Sequence, residues 1–354
     1  MKDFLAELIE IPGVSGYEEK AAARIADEFA RHCDRVRTDE FYNVYAIKRG
    51  TAVRGGQDEK GLPKVMLAAH MDEIALMVRD IDEEGFVRFT NIGGVDQRIL
   101  PAQEVTVHGQ EKLHGIIATL PPHLQEAGDA RKPVKMKDMS IDLGLPYEKV
   151  RELVRVGDLI TFCSPLVSMQ GTFVNGKSID DRAGVIMLNE VMKELDRYQY
   201  QAEVYCVATV QEEVGTRGAI ISTYNIQPDI GIAIDVCHGE TPDAPREDTH
   251  AMDKGIVVCK GPNLHPGLTD RLLEIAKENG MECQIEIAPR PTGTDARSMQ
   301  ISRSGVPTIL LELPLRYMHT TVETLNLDHI KSGARLIALF IASLKEGWQE
   351  WLKY

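Results

Sequence analysis

Short, continuously apolar runs that alternate with helical stretches constrain this chain more than any other feature. They are Lys64-Val-Met-Leu-Ala-Ala69, Val204-Tyr-Cys-Val-Ala-Thr-Val210 and Ile230-Gly-Ile-Ala-Ile234, and a further strand is read at 306–312. A strand that is apolar at nearly every position has both of its faces covered, which requires an α/β sheet with helices on each side. Helical patterning is read at 2–10, 17–32, 181–195, 216–223, 266–279, 294–303 and 327–351, with further strands at 35–38, 43–48, 255–259 and 283–288. The expected fold class is therefore α/β, a three-layer architecture around a mixed or mostly parallel sheet. The polar, glycine-rich stretch Thr51–Gly61 reads as an exposed loop.

Between residues 73 and 165 the character changes. Short β-type segments (Ile74–Val78, Phe86–Asn91, Glu104–Val107, Gly115–Leu120, Leu159–Phe162) alternate with turns such as Asp82-Glu-Glu-Gly85, and one short helix is expected at Tyr147–Leu153. With 354 residues the chain exceeds the usual size of one core. The reading is a discontinuous domain, 1–72 and 166–354, interrupted by a β-rich insertion at 73–165.

Chemistry is expected where the apolar strands stop, because open α/β sheets bind ligands beyond the carboxyl ends of their strands. His70 follows the first run and Asp235 follows Ile230–Ile234. The adjacent pair Glu212-Glu213 follows the run ending at Val210, inside Gln-Glu-Glu-Val-Gly215. Asp180 lies in Asn175-Gly-Lys-Ser-Ile-Asp-Asp-Arg-Ala-Gly184, and His319 in Arg316-Tyr-Met-His-Thr320. Two histidines and three carboxylates suit two divalent ions, with one carboxylate bridging them and positions left open for water and substrate. Neighbouring side chains in an extended segment point to opposite sides, so Glu212 and Glu213 can divide a metal role and a proton role. Each loop alone has a plainer reading: a solvated loop for the glutamates, a helix N-cap and first turn for Asp180 and Asp181, a turn residue for Asp235.

The combination resembles metallopeptidase family 42, the co-catalytic metalloaminopeptidases that include glutamyl aminopeptidases and tetrahedral dodecameric peptidases. The resemblance rests on His-Met-Asp at 70–72, Asp-Asp-Arg-Ala-Gly at 180–184, Gln-Glu-Glu-Val-Gly at 211–215, Asp235 and Arg-Tyr-Met-His at 316–319, and it spans essentially the whole chain. It implies two divalent metal ions per subunit, zinc or cobalt, with Asp180 bridging them, His70 and Asp235 on one, and Glu213 and His319 on the other. It further implies that Glu212 is the general base for attack by a metal-bound water, and that Asp72 fixes the tautomer of His70. The activity implied is removal of N-terminal residues from peptides, and the insertion becomes a dimerisation domain in a homo-oligomer, a dimer building to a dodecamer. Two positions depart from the family pattern: Thr320-Thr321 stands where Ser-Pro is usual, and Asp181 where Asn is frequent. The pattern Lys-x-x-Asp-x-Arg selects Asp180 rather than Asp181 as the bridge.

Other residues compete less well. His238, three positions after Asp235, reads as a loop or pocket residue, and His108, His114 and His123 as surface or interface residues of the insertion. Thr292-Gly-Thr-Asp-Ala296 either borders a substrate pocket or caps the helix that follows. A net charge of −14 argues against a general electrostatic grip on nucleic acid or an anionic membrane. Six scattered cysteines without a Cys-x-x-Cys pair read as reduced core residues, and no run of about 18 apolar residues occurs, so the expected setting is soluble and cytoplasmic. The competing functions are a related binuclear deacylase or carboxypeptidase, a glycosidase that uses two carboxylates without metal, and a non-enzymatic scaffold.

Overall fold

The computed structural model describes residues 1–50, 62–124 and 133–353, so the loop expected at Thr51–Gly61 lies outside the described residues. In chain order the strands are β1 (Arg35–Thr38), β2 (Val44–Arg49), β3 (Lys64–His70), β4 (Ala75–Ile81), β5 (Val87–Ile92), β6 (Glu104–His108), β7 (Lys112–Ala118), β8 (Ser140–Asp142) and β9 (Leu159–Phe162). There follow β10 (Val167–Ser168), β11 (Phe173–Gly176), β12 (Glu203–Thr209), β13 (Ile230–His238), β14 (Ile256–Lys260), β15 (Cys283–Ile287), β16 (Thr308–Arg316) and β17 (Glu323–Asn326).

Eleven strands form one mixed sheet with the path β1-β2-β12-β3-β13-β16-β17-β11-β10, from which β14 and β15 branch off β16. Its centre is parallel: β12 pairs with β3, β3 with β13 and β13 with β16, all in the same direction. The alternation of side chains along these strands divides the core between two faces. Val65, Leu67 and Ala69 of β3 pack with Ile186 and Leu188 of the Ile179–Leu195 helix and with Ile337 of the Leu327–Ser343 helix. Met66 and Ala68 instead join Ala219 and Met299 on the opposite face. Both sets are fully or almost fully buried, which is why the run 64–69 shows no polar interruption. Truncating Leu67 to Ala would cost about 2–5 kcal/mol through lost transfer energy and the void left behind.

Residues 75–162 form the second body, a closed barrel in the order β4-β5-β8-β7-β6-β9 with its own core of Leu76, Val78, Val105, Val107, Ile141 and Ile160. β7 shows the alternation of a one-sided strand, with Leu113, Gly115 and Ile117 buried and His114 and Ile116 exposed.

Several boundaries differ from the sequence reading. The helix expected over 327–351 stops at Ser343, and Gly347, at φ +87, starts a separate short turn over Trp348–Leu352. The expected helices 17–32 and 294–303 contract to Glu19–Phe29 and Asp295–Gln300. β8, β10, β11 and β17 have no counterpart in the sequence reading. They are two to four residues long, too short for a period to register, and exist through pairing with distant partners such as β11 with β17. All six cysteines are free, and Cys163 is exposed rather than a core residue.

Candidate metal centre

The parallel strands β12, β3, β13 and β16 end at one edge of the sheet, and the five candidate ligands gather there. His70 is the last residue of β3, in register with Thr209, the last residue of β12. Asp235 lies within β13, and Glu212 and Glu213 follow β12 directly. Asp180 opens the Ile179–Leu195 segment but is extended rather than helical (φ −70, ψ 111). His319 follows β16. Three positions at these turns hold left-handed backbone without being glycine: Ser178 (φ 55), Gln211 (φ 55) and His319 (φ 58). Each costs of order 1–3 kcal/mol, and such strain gathers where side-chain placement matters more than local comfort.

The donor atoms of His70, Asp180 and Asp235 lie within 4.8 Å of one another, as do those of Asp180, Glu213 and His319. Asp180 belongs to both groups: its Oδ1 is 3.1 Å from His70 Nε2 and its Oδ2 is 3.3 Å from His319 Nε2. Glu213 Oε1 is also 3.3 Å from His319 Nε2, and Glu212 Oε2 is 4.0 Å from His70 Nε2. Two imidazoles and three carboxylates in two overlapping groups fit a pair of borderline divalent cations.

Buried partners fix these side chains. Asp72 is fully buried; its Oδ1 lies 3.5 Å from His70 Nδ1, and its carboxylate accepts from Ser15 Oγ at 2.6 Å. It also accepts from the backbone N–H groups of Glu212 and Glu213 at 3.0 and 3.2 Å, so one carboxylate contacts the β3 histidine and the glutamate turn together. Asp181 joins neither group and accepts from the Gly184 and His70 backbone N–H groups. A side chain at Gly184 would place a Cβ 2.4 Å from Asp181 Oδ2, so this tight turn requires glycine. His319 Nδ1 is 3.0 Å from the Gly94 carbonyl, contributed by the barrel, so Nδ1 donates there and Nε2 is turned towards Asp180 and Glu213.

The electrostatics are those of a carboxylate-rich site. Burial pushes the Glu212 carboxyl up to about 10, His70 opposing and Asp235, Asp295 and Asp72 adding to it. Burial also raises Asp235 to about 8. His319 is carried to about 11 by its hydrogen bonds to Asp180 and Glu213. His70 is raised well above its ordinary value, because Asp180, Asp72 and Glu212 outweigh burial. Asp180 is held low because His319 and His70 outweigh its burial. Carboxylates crowded in this way take up protons, which a cation entering the site would displace.

Two contributors, Glu323 and Glu18, carry no sequence signal, and a third, Asp295, lies in the Thr292–Ala296 segment that the sequence singles out. Glu323, buried on β17, accepts from the backbone N–H groups of both Asp180 and His319 at 3.0 Å and so spans two ligand turns. Glu18 accepts from Gln211 N–H at 3.0 Å. Asp295 accepts from Thr209 Oγ1 at 2.6 Å, and Thr292, Gly293 and Thr294 border a cavity of about 980 Å³ that His70, Asp180, Glu213, Asp235 and His319 also line. His238 lines this cavity without joining either donor group. His108 lies in the barrel, 2.8 Å from Thr161 Oγ1, and His114 and His123 are exposed.

Residues 50–336 match the family model of the M42 glutamyl aminopeptidases. A lysyl aminopeptidase of Pyrococcus furiosus is 34% identical over 348 residues, 97% of each chain. The crystal structure of a TET aminopeptidase from a marine sediment archaeon, Thaumarchaeota archaeon SCGC AB-539-E09, superposes with a TM-score of 0.92 at 29% identity, covering 99% of this chain and 98% of that one. The Pyrococcus horikoshii TET1 peptidase, which can assemble into a tetrahedron or a large octahedral shell, has a TM-score of 0.83 at 31% identity, covering 97% and 99%.

Proposed function

The chain belongs to the M42 family of aminopeptidases, hydrolases that act on peptides, and on that premise we propose that it removes N-terminal residues at a binuclear metal centre held by His70, Asp180, Glu213, Asp235 and His319. The observation that carries this reading is the pair of donor groups sharing Asp180, with the Glu212 carboxylate beside them. Two divalent ions, zinc or cobalt, would supply Lewis acidity there: they polarise a carbonyl and make water acidic near neutral pH.

The protein's own part follows from the placement of its side chains. Glu212 takes the proton of the attacking water and delivers it to the departing amine, from a position beside the donor groups with its Oε2 4.0 Å from His70 Nε2. Asp72 is a positioning residue, which orients His70 and anchors the backbone of the glutamate turn. Asp180 joins the two ligand groups and Glu323 secures its backbone. The cavity of about 980 Å³ has room for several residues of an extended peptide.

We place the protein in the cytoplasm and read it as a homo-oligomer, a dimer built through the barrel at residues 73–165 and then assembled to a dodecamer. Exposed Ile116 and Val156 on the barrel and the assemblies of its structural relatives support this. Two names point to different N-terminal residues, glutamyl for the family and lysyl for the P. furiosus relative, so neither selects the substrate. The test is hydrolysis of aminoacyl p-nitroanilides before and after chelation. Activity that returns only with zinc or cobalt is expected; undiminished activity in the metal-free protein would overturn the reading. A peptide blocked at its N-terminus should resist cleavage, and its cleavage would indicate a deacylase or carboxypeptidase instead.

A further inference from the structure

The wall of the cavity beyond the ligands is also acidic, and nothing in the proposed mechanism uses it. Glu312 on β16 stands in register beside Asp235 on β13, one strand further across the sheet, and lines the same cavity. It is only 4% exposed, yet its Oε2 has no hydrogen-bond partner among the described residues. Glu286 of β15 lines the wall next to it: a carboxylate oxygen from each, together with Cys259 Sγ, lie within 4.8 Å of one another. The other oxygen contact of Glu286 is His250 Nε2, at 3.0 Å. A buried carboxylate with an unpartnered oxygen is strongly unfavourable unless a cation or a proton joins it. The cationic side chains lining the cavity, Arg290 and Arg297, are exposed, whereas Glu312 is buried.

We infer that Glu312 and Glu286 form the subsite for the side chain of the substrate's N-terminal residue, and that this subsite selects a cationic side chain, lysine or arginine. The inference rests on the aminopeptidase reading for its placement. With the α-amine at the ligand groups, Glu312 lies one strand spacing beyond Asp235, about 4.8 Å. A lysine's four-carbon stem spans that step and carries its ammonium to the carboxylates. The alternative occupant is a third metal ion, held by Glu286 with Glu312 and Cys259 or with Cys237 and His250. Each of those groups needs a donor, Cys259 or His250, that does not line the cavity, while both carboxylates do. A subsite built to pair a charged group discriminates strongly against an analogue that lacks it, because its own polar atoms are then left unpaired.

The experiment compares lysine with norleucine, which has the same stem without the charge, using the metal-loaded full chain. kcat/KM for lysyl p-nitroanilide should exceed that for norleucyl p-nitroanilide at least tenfold, and Glu312→Gln should shrink the ratio at least tenfold. Calorimetry on the same protein should show free L-lysine binding at least tenfold more tightly than L-norleucine. Equal treatment of the two side chains by the wild type, or an unchanged ratio in Glu312→Gln, overturns the inference. A third metal ion per subunit that disappears in Cys259→Ser also overturns it, by making the cluster a metal site. A protein that hydrolyses neither substrate but still prefers lysine in calorimetry keeps the subsite and defeats the aminopeptidase reading.

Discussion

Two single substitutions separate moving the proton from holding the ligands. Glu212→Gln removes the proton acceptor and leaves the five ligands in place; kcat should fall about 10²- to 10⁴-fold while elemental analysis still finds two ions per subunit. Full activity in that variant would remove Glu212 from the base role. Gly94→Ala acts on the opposite side of the centre: the new Cβ would lie 2.8 Å from His319 Nδ1, displacing both the ring and its bond to the Gly94 carbonyl. Loss of such a supporting contact typically costs about 10- to 100-fold in metal affinity, measurable by competition with a chromophoric chelator. Unchanged affinity would show that the Gly94 contact does not hold His319. The two residues differ in how visible they are from sequence. The Glu212 pair is conspicuous because adjacent carboxylates close an apolar run. Gly94 and Glu323 matter through contacts to His319 and Asp180 that span 225 and 143 positions, and no local pattern encodes such a contact.

At the scale of elements, the join between β3, the barrel and the Ile179–Leu195 helix is a buried ionic network. Glu73, 2% exposed, is paired with Lys177 and Ser178, and its Oε1 is 3.3 Å from the Arg182 guanidinium and accepts from the Gly13 backbone N–H at 3.0 Å. Lys177 and Arg182 outweigh the cost of burial and depress the Glu73 carboxyl from 4.5 to about 2. A depressed acid stabilises the fold above its unfolded value and ceases to do so as it is protonated. The contribution is therefore present above pH 4.5 and lost as pH falls through about 2. Its size is about 3 kcal/mol at about 1.36 kcal/mol per unit. Lys177 itself is pulled down, by burial and then by Arg182 against the pull of Glu73, so the acid-labile stability belongs to Glu73. Denaturant unfolding of wild type and Glu73→Gln between pH 5 and 2.5 should converge as pH falls; parallel curves would remove Glu73 as the source. Lys177→Met should destabilise by about 3–5 kcal/mol at pH 7, since it leaves a buried carboxylate short of its counter-charge. The central strands were readable because burial on both faces leaves an uninterrupted apolar run. The network was not: Lys177 and Arg182 stand out in the sequence only as the ends of the Lys-x-x-Asp-x-Arg pattern, and Lys177 meets Glu73 across 104 positions.

For the whole molecule, ion binding should appear as stability. Ions that bind only the folded chain contribute RT ln(1 + [L]/Kd), about 2.7 kcal/mol at a hundredfold excess over Kd, so chelation should lower the Tm by several degrees. An unaltered Tm would contradict a loaded centre. Light scattering should find an assembly well above the 39.4 kDa of one chain; a stable monomer at micromolar concentration would rule out the homo-oligomer. The α/β frame could be read from alternating runs, whereas closure of the barrel could not, because β8 is three residues long, too short for a period to register. That barrel supplies the carbonyl of Gly94 to His319, so part of the ligand geometry belongs to the insertion. Thermodynamic reciprocity then applies. Any free energy that couples subunit association to the placement of residues 93–94, and through them to an ion at His319, acts equally on both events. Dilution that separates the subunits should raise the ion's Kd by the same factor by which removing the ion weakens their association.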